Sequence, residues 1–119
     1  MKIFKSNLFV TVASLLFLST EINTASDCEY LQSALKYLND DMKNVFKLEK
    51  CCDFNGVRCD ADKNIHELRF NNVNKTNNFG KFIEKIANMK NLTYLDLAND
   101  NIEDNIPKTL CTMTSLKNL

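Results

Sequence analysis

Leu92 and Leu116 stand twenty-four residues apart, and four more apolar pairs repeat at that spacing: Phe82 with Ile106, Ile86 with Leu110, Met89 with Met113, and Leu95 with Leu119. A fixed period of this length means that one supersecondary unit is reused, each copy burying its apolar side against the next. Within the unit, Leu92, Leu95, Leu97 and Ile102 of NLTYLDLANDNI follow the pattern LxxLxLxxNxL. The alternation around Leu95 and Leu97 is that of a strand with one buried side. Earlier, IHELRF sets Ile65, Leu68 and Phe70 in the same places at an offset of 27 residues, the three extra residues falling in NNVNKTNNF. An irregular unit is expected where a repeat array meets its cap. Between the strands, FGKFIEKIANM carries Phe79, Phe82, Ile83, Ile86 and Met89 at helical spacing, either an ordinary helix of a small α+β domain or, as the period favours, the helical segment on the outer side of each turn.

Upstream, Leu31, Leu35, Leu38, Met42 and Val45 are spaced by four and three residues, one apolar face of a helical region over 26–46. Ser26 and Glu29 fit a capping box, Asp27 is a second cap candidate, and Asn39, Asp40 and Asp41 mark a break. Four cysteines, Cys28, Cys51, Cys52 and Cys59, bracket the end of this region. A Cys51–Cys52 bond is disfavoured, because neighbouring Cα atoms lie about 3.8 Å apart and disulfides span about 4.4–6.8 Å. Two pairings remain: Cys28 with Cys51 plus Cys52 with Cys59, or the crossed arrangement. A metal site would need CxxC spacing and usually histidine; the chain has no CxxC, and its one histidine is His66. No metal or cofactor is expected.

Disulfides require an oxidising compartment, and the first residues supply a route to one. Lys2 and Lys5 precede the apolar run Leu8 to Leu18, followed by STEINTAS, the layout of a secretory signal over residues 1–26 with cleavage near Ser26. The run is far shorter than the about 20 residues of a membrane-spanning helix, and no other segment could span a bilayer. Removing Lys2, Lys5 and Glu21 with the signal leaves 13 basic and 14 acidic residues. Without a basic block, nucleic acid is not an expected partner. The 93 residues that remain bury a marginal core on their own.

CCDFNGVRCD, then IHELRF, then NLTYLDLANDNIEDNIPKTLCTMTSL, resembles the amino-terminal cap and first repeats of extracellular leucine-rich-repeat proteins of the plant receptor and polygalacturonase-inhibitor type. Cys28, Cys51, Cys52, Phe54, Gly56, Val57 and Cys59 fill the cap's places in order, with Phe54 where the family usually has Trp. The resemblance implies an α/β fold: a leucine-rich-repeat solenoid fragment with a disulfide-stapled helical cap at 27–62 and about two repeats over 63–119, parallel strands lining the concave face. It also implies the pairing Cys28–Cys51 and Cys52–Cys59. The chain departs from the family pattern after Ile102, where Glu103 and Asp104 stand in place of Ser-Gly, while Ile106-Pro107 keeps the family's Ile-Pro. Asp100, and Val73 in the first unit, occupy the place of the ladder asparagine, with Asn101 beside it.

In such repeats the side chains between the apolar strand residues face outward. Here these are His66, Glu67, Arg69, Asn71 and Asn72, then Thr93, Tyr94, Asp96, Ala98 and Asn99, and stacking sets Glu67 beside Tyr94 and Arg69 beside Asp96. No nucleophile or carboxylate can be tied to His66 by sequence, so no catalytic residue and no enzyme activity are expected. Asn74 and Asn91 head glycosylation sequons, the second abutting the strand and flanking the concave face. Cys111 is either a buried apolar residue or the partner of a cysteine elsewhere. Nothing resembling a carboxy-terminal cap follows, so the outer edge is expected to meet further chain or to self-associate. The functional expectation is a secreted recognition module that binds protein or glycan through the concave face, or else the amino-terminal piece of a larger cell-surface receptor or adhesion protein without binding activity of its own.

Overall fold

The computed structural model describes residues 25–71, 78–98 and 106–119. Helix α1 (Asp27–Leu38) starts on the capping box. The Ser26 hydroxyl accepts from the Glu29 amide at 3.2 Å, and the Glu29 carboxylate accepts from the Ser26 amide at 2.9 Å. Asp27 is used otherwise: its Oδ2 accepts from the Ile65 amide at 2.8 Å, tying the start of α1 to the repeat region. Leu31, Ala34, Leu35 and Leu38 are buried along one face. The break falls at Asn39, whose backbone is extended and whose side-chain oxygen accepts from the Asp41 and Met42 amides. One residue thus ends α1 and caps α2 (Asp40–Val45). The break also resets the helical phase, so Val45, which the spacing assigns to the apolar face, is 64% exposed and Phe46 is buried in its stead.

A 3₁₀ helix (Leu48–Asp53) follows and carries both adjacent cysteines. Cys51 is buried and bonded to Cys28, with Cα atoms 5.9 Å apart, and Cys52 is bonded to Cys59 across 5.6 Å. The pairing is the one the resemblance implies. Phe54 then meets Phe46 and Phe70 edge-to-face, at centroid separations of 5.1 and 6.3 Å, contacts worth about 0.5–1.5 kcal/mol each beyond burial. Gly56 turns the chain with φ +97°, and a Cβ there would collide with the Arg69 carbonyl oxygen and the Phe70 ring. Only glycine allows both the turn and that close approach.

The chain next forms a three-stranded sheet in the order β1 (Val57–Cys59), β2 (Ile65–Arg69), β3 (Tyr94–Asp96). The cap strand β1 runs antiparallel to β2, pairing Val57 with Leu68 and Arg58 with Glu67. The all-parallel sheet expected from the repeats is therefore mixed, because a short turn over Asp60–Asn64, closed by the Asp60 carboxylate accepting from the Asp62 and Asn64 amides, returns the chain directly as a hairpin. Strands β2 and β3 are parallel, with Glu67 opposite Tyr94, Leu68 opposite Leu95 and Arg69 opposite Asp96. That register is the 27-residue offset of the sequence. A further parallel bridge joins Tyr94 to Asn118, at the 24-residue offset.

Helix α3 (Phe79–Ile86) links β2 to β3 and packs along α1, its Asn78 cap amide also donating to the Tyr37 carbonyl at 2.9 Å. The described residues form a small mixed α/β unit with one core, running from Leu31 to Met113. Within it the repeated apolar positions fare unequally. Phe82, Ile86, Met89, Leu92 and Leu95 are all at most 1% exposed. Their counterparts form a gradient: Met113 is buried, Leu110 and Leu116 are half-buried, and Ile106 and Leu119 are 74% and 75% exposed. The first set lies between α1 and the next turn; the second has packing on one side only among the described residues. The segment among these counterparts is a 3₁₀ helix (Lys108–Thr112) rather than an α-helix. Val73, Asp100 and Asn101 lie outside the described residues.

The two glycines predict opposite outcomes. Gly56→Ala lowers the unfolding free energy by about 1–3 kcal/mol through its left-handed backbone and the collision. In Gly80→Ala the new methyl has only the Asn78 side-chain oxygen within 4 Å, at 3.6 Å, and the helix gains about 0.5–1 kcal/mol. Thermal unfolding of the two variants should shift the midpoint in opposite directions. Asp27 provides a pH test. Burial raises its pKa above the ordinary 3.8, outweighing the Ile65 hydrogen bond, with the Asp60 charge adding to the rise. Its contribution to stability is therefore fullest at low pH and fades as pH rises through the folded value. Asp27→Asn keeps an acceptor for Ile65 without the charge. It is expected to be more stable than the wild type at neutral pH, by a margin that closes on acidification, measured by denaturant melts across pH.

Candidate functional site

Strand alternation turns Leu68 and Leu95 inward and sets Glu67, Arg69, Tyr94 and Asp96 on the opposite side of the sheet. The cross-strand neighbours are those the stacking predicts. The side chains, however, choose other partners. Arg69 does not pair with Asp96: its Nε contacts Glu67 Oε2 at 2.6 Å, and its guanidinium lies 4.3 Å from the Tyr94 ring centroid. Asp96 is taken up elsewhere, its Oδ2 accepting from the Asn71 side-chain amide at 3.3 Å and its Oδ1 from the Ala98 backbone amide at 3.0 Å.

Arg58 is the residue that the repeat pattern misses. It belongs to the cap, and it reaches this face only because β1 pairs antiparallel with β2 and brings it opposite Glu67. Its Nε lies 3.3 Å from the same Glu67 oxygen that Arg69 contacts. The alternation of Val57 and Cys59 about Arg58, followed by a turn-forming DADKN, is the sequence signal for the hairpin. Glu67, 13% exposed, thus lies under two arginines that are 71% and 48% exposed. Hydrogen bonding from Arg69, with the charges of Arg69 and Arg58, holds the Glu67 carboxyl below its ordinary pKa, and the same bond raises that of Arg69. A pocket of about 240 Å³ opens beside this group, lined by Asn55, Gly56, Val57, Arg58, Glu67 and Arg69.

The remaining sequence candidates divide. His66 is half-buried and serves the ladder through its carbonyl, which accepts from the Thr93 amide at 2.9 Å and the Thr93 hydroxyl at 3.1 Å. Thr93 is thereby committed to the sheet. Asn91 is exposed and lies with Asp27, Tyr30, Asn64 and Lys90 around a separate polar cleft of about 340 Å³, its amide 3.4 Å from Asp60. Asn72, Asn74 and Asn99 lie outside the described residues. Cys111 is exposed and unbridged, so it is not the buried apolar residue that one reading allowed. The sulfurs of Cys28, Cys52 and Cys59 lie within 4.8 Å of one another, but each is engaged in a disulfide, whereas a metal is held by thiolate.

No family model matches the chain. Phytosulfokine receptor 1 of Arabidopsis thaliana, a leucine-rich-repeat receptor, is 26% identical over 120 aligned positions that cover 94% of this chain. The chain spans 12% of that receptor's length. The similarity is distant, and with the two disulfides it is consistent with a receptor-like protein.

The Glu67 geometry predicts a measurable titration. Its carboxyl midpoint, followed by carbon-detected NMR, should lie below the ordinary 4.5. Because the folded pKa is depressed, the favourable contribution is present above the unfolded pKa and is lost as pH falls through the folded value. Arg69→Gln should move the midpoint up by more than Arg58→Gln, since Arg69 supplies the shorter contact and the dominant hydrogen bond.

Proposed function

We propose that this chain is a secreted, non-catalytic leucine-rich-repeat recognition module that contacts a protein or glycan through the outer face of its sheet. The observation that carries the reading is the parallel register of β2 and β3. Two sequence units stack so that leucines face the core and Glu67, Arg69, Tyr94 and Asp96 form one polar surface. Tyrosine and arginine are the side chains most enriched among residues that dominate interface energetics. Two disulfides support an extracellular location, as does the signal-like start over residues 1–26. In this reading the two parallel offsets are turns of a solenoid, with the mature cap beginning near Ser26.

A second reading is favoured by one observation: the similar receptor is far longer, this chain spanning 12% of it. Here residues 27–119 form the start of a larger receptor or adhesion ectodomain, and the exposed Ile106 and Leu119 belong to a face that a further turn covers.

Expression of the full chain in a eukaryotic secretory host tests location and binding together. The protein should appear in the medium with an amino terminus near residue 26. Probed against arrays of extracellular proteins and glycans, it should retain a partner whose binding falls at least tenfold in the Tyr94→Ala/Arg69→Ala double variant. Retention unchanged by that variant would rule out the sheet face as the contact surface, and retention inside the cell would rule out secretion.

A further inference from the structure

The pocket beside Glu67 has a chemistry that the repeat pattern alone does not specify. Three ionised side chains meet there, two arginines and one carboxylate, leaving one positive charge in excess at contact distance. Among the described residues Glu67 is the one carboxylate within ion-pair distance of either arginine. Both arginines address it through Nε, the inner edge of the guanidinium. Both side chains are exposed, 71% and 48%, and a guanidinium fork matches a carboxylate in geometry as well as charge.

We propose that the Arg58–Arg69 pair, braced by Glu67, is a subsite for a carboxylate side chain, Asp or Glu, of an extended acidic segment of a partner protein. The proposal rests on the reading of the sheet face as the contact surface and names what that surface takes. One feature favours a peptide carboxylate over an acidic sugar. The Tyr94 ring, the aromatic platform a sugar ring would stack on, already has the Arg69 guanidinium at 4.3 Å from its centroid. The pocket also offers both guanidiniums to one acidic group, with Asn55, Gly56 and Val57 completing its lining. Glu67 is a positioning residue: it fixes both guanidiniums from below, so that less side-chain freedom is lost when the second carboxylate arrives.

The test uses the whole secreted chain, an acetylated and amidated tetraglutamate peptide, its tetraglutamine counterpart, and an oligoglucuronate of equal charge. Binding is followed by the NMR signals of the arginine Nε–H groups. The tetraglutamate should shift Arg58 and Arg69 together, weaken with added salt, and lose about tenfold or more in affinity in Arg58→Gln. Lys90→Gln, a charge change away from the pocket, should have no such effect. Arg58 is 71% exposed, so its substitution leaves the fold intact, which the unchanged Cys52–Cys59 bridge and thermal midpoint would verify. Equal response to tetraglutamine would overturn the proposal, as would shifts scattered over other cationic residues. Tighter binding of the oligoglucuronate would reassign the subsite to acidic glycans. A natural partner lost in Tyr94→Ala/Arg69→Ala but indifferent to Arg58→Gln would refute the carboxylate subsite while leaving the sheet-face reading in place.

Discussion

Two bridges from consecutive residues hold this molecule in register. Cys51 bonds back to Cys28 on α1 and Cys52 bonds forward to Cys59 on β1, so one short 3₁₀ helix clamps the first helix to the first strand. Closing loops of these lengths limits the unfolded chain by about 2–3 kcal/mol per bridge, a large share for a domain whose burial is marginal. Everything outward follows from that clamp. Strand β1 offers its edge to β2, β2 offers its other edge to β3, and β3 receives Asn118.

Burial of the repeated apolar positions declines along the described chain. Among the described residues Phe82, Ile86, Met89, Leu92 and Leu95 are buried, yet Ile106 and Leu119, which repeat Phe82 and Leu95, are exposed. A repeat contacts only its neighbours, so identical residues contribute differently according to what lies next to them. Asp27 illustrates the same dependence at the other end, where a carboxylate at the start of a helix is enlisted to hold the Ile65 amide 38 residues away.

The polar face is also a product of neighbours. Arg69 lies beside Asp96 in register, but it bonds Glu67 on its own strand and covers Tyr94. Asp96 is already occupied by Asn71 and by the Ala98 amide, so its charge is spread over donors that an ion pair would have to displace. Exposed ion pairs contribute little to stability, and the arrangement bears on what the face can contact rather than on how firmly the sheet is held.

Much of this was legible in the chain, for local reasons. The capping box, the break at Asn39 and the buried faces of α1 and α3 follow from residue spacing and from side chains short enough to bond their own backbone. The offsets of 27 and 24 residues name the strand partners, because a repeat encodes its own register. Three features required the tertiary structure. The antiparallel course of β1 depends on a hairpin turn that no repeat predicts, and it alone brings Arg58 to Glu67. The outward turn of Val45 depends on the phase change at Asn39. The burial of one set of repeated apolar residues and the graded exposure of the next depend on what stands on either side, which no single unit carries.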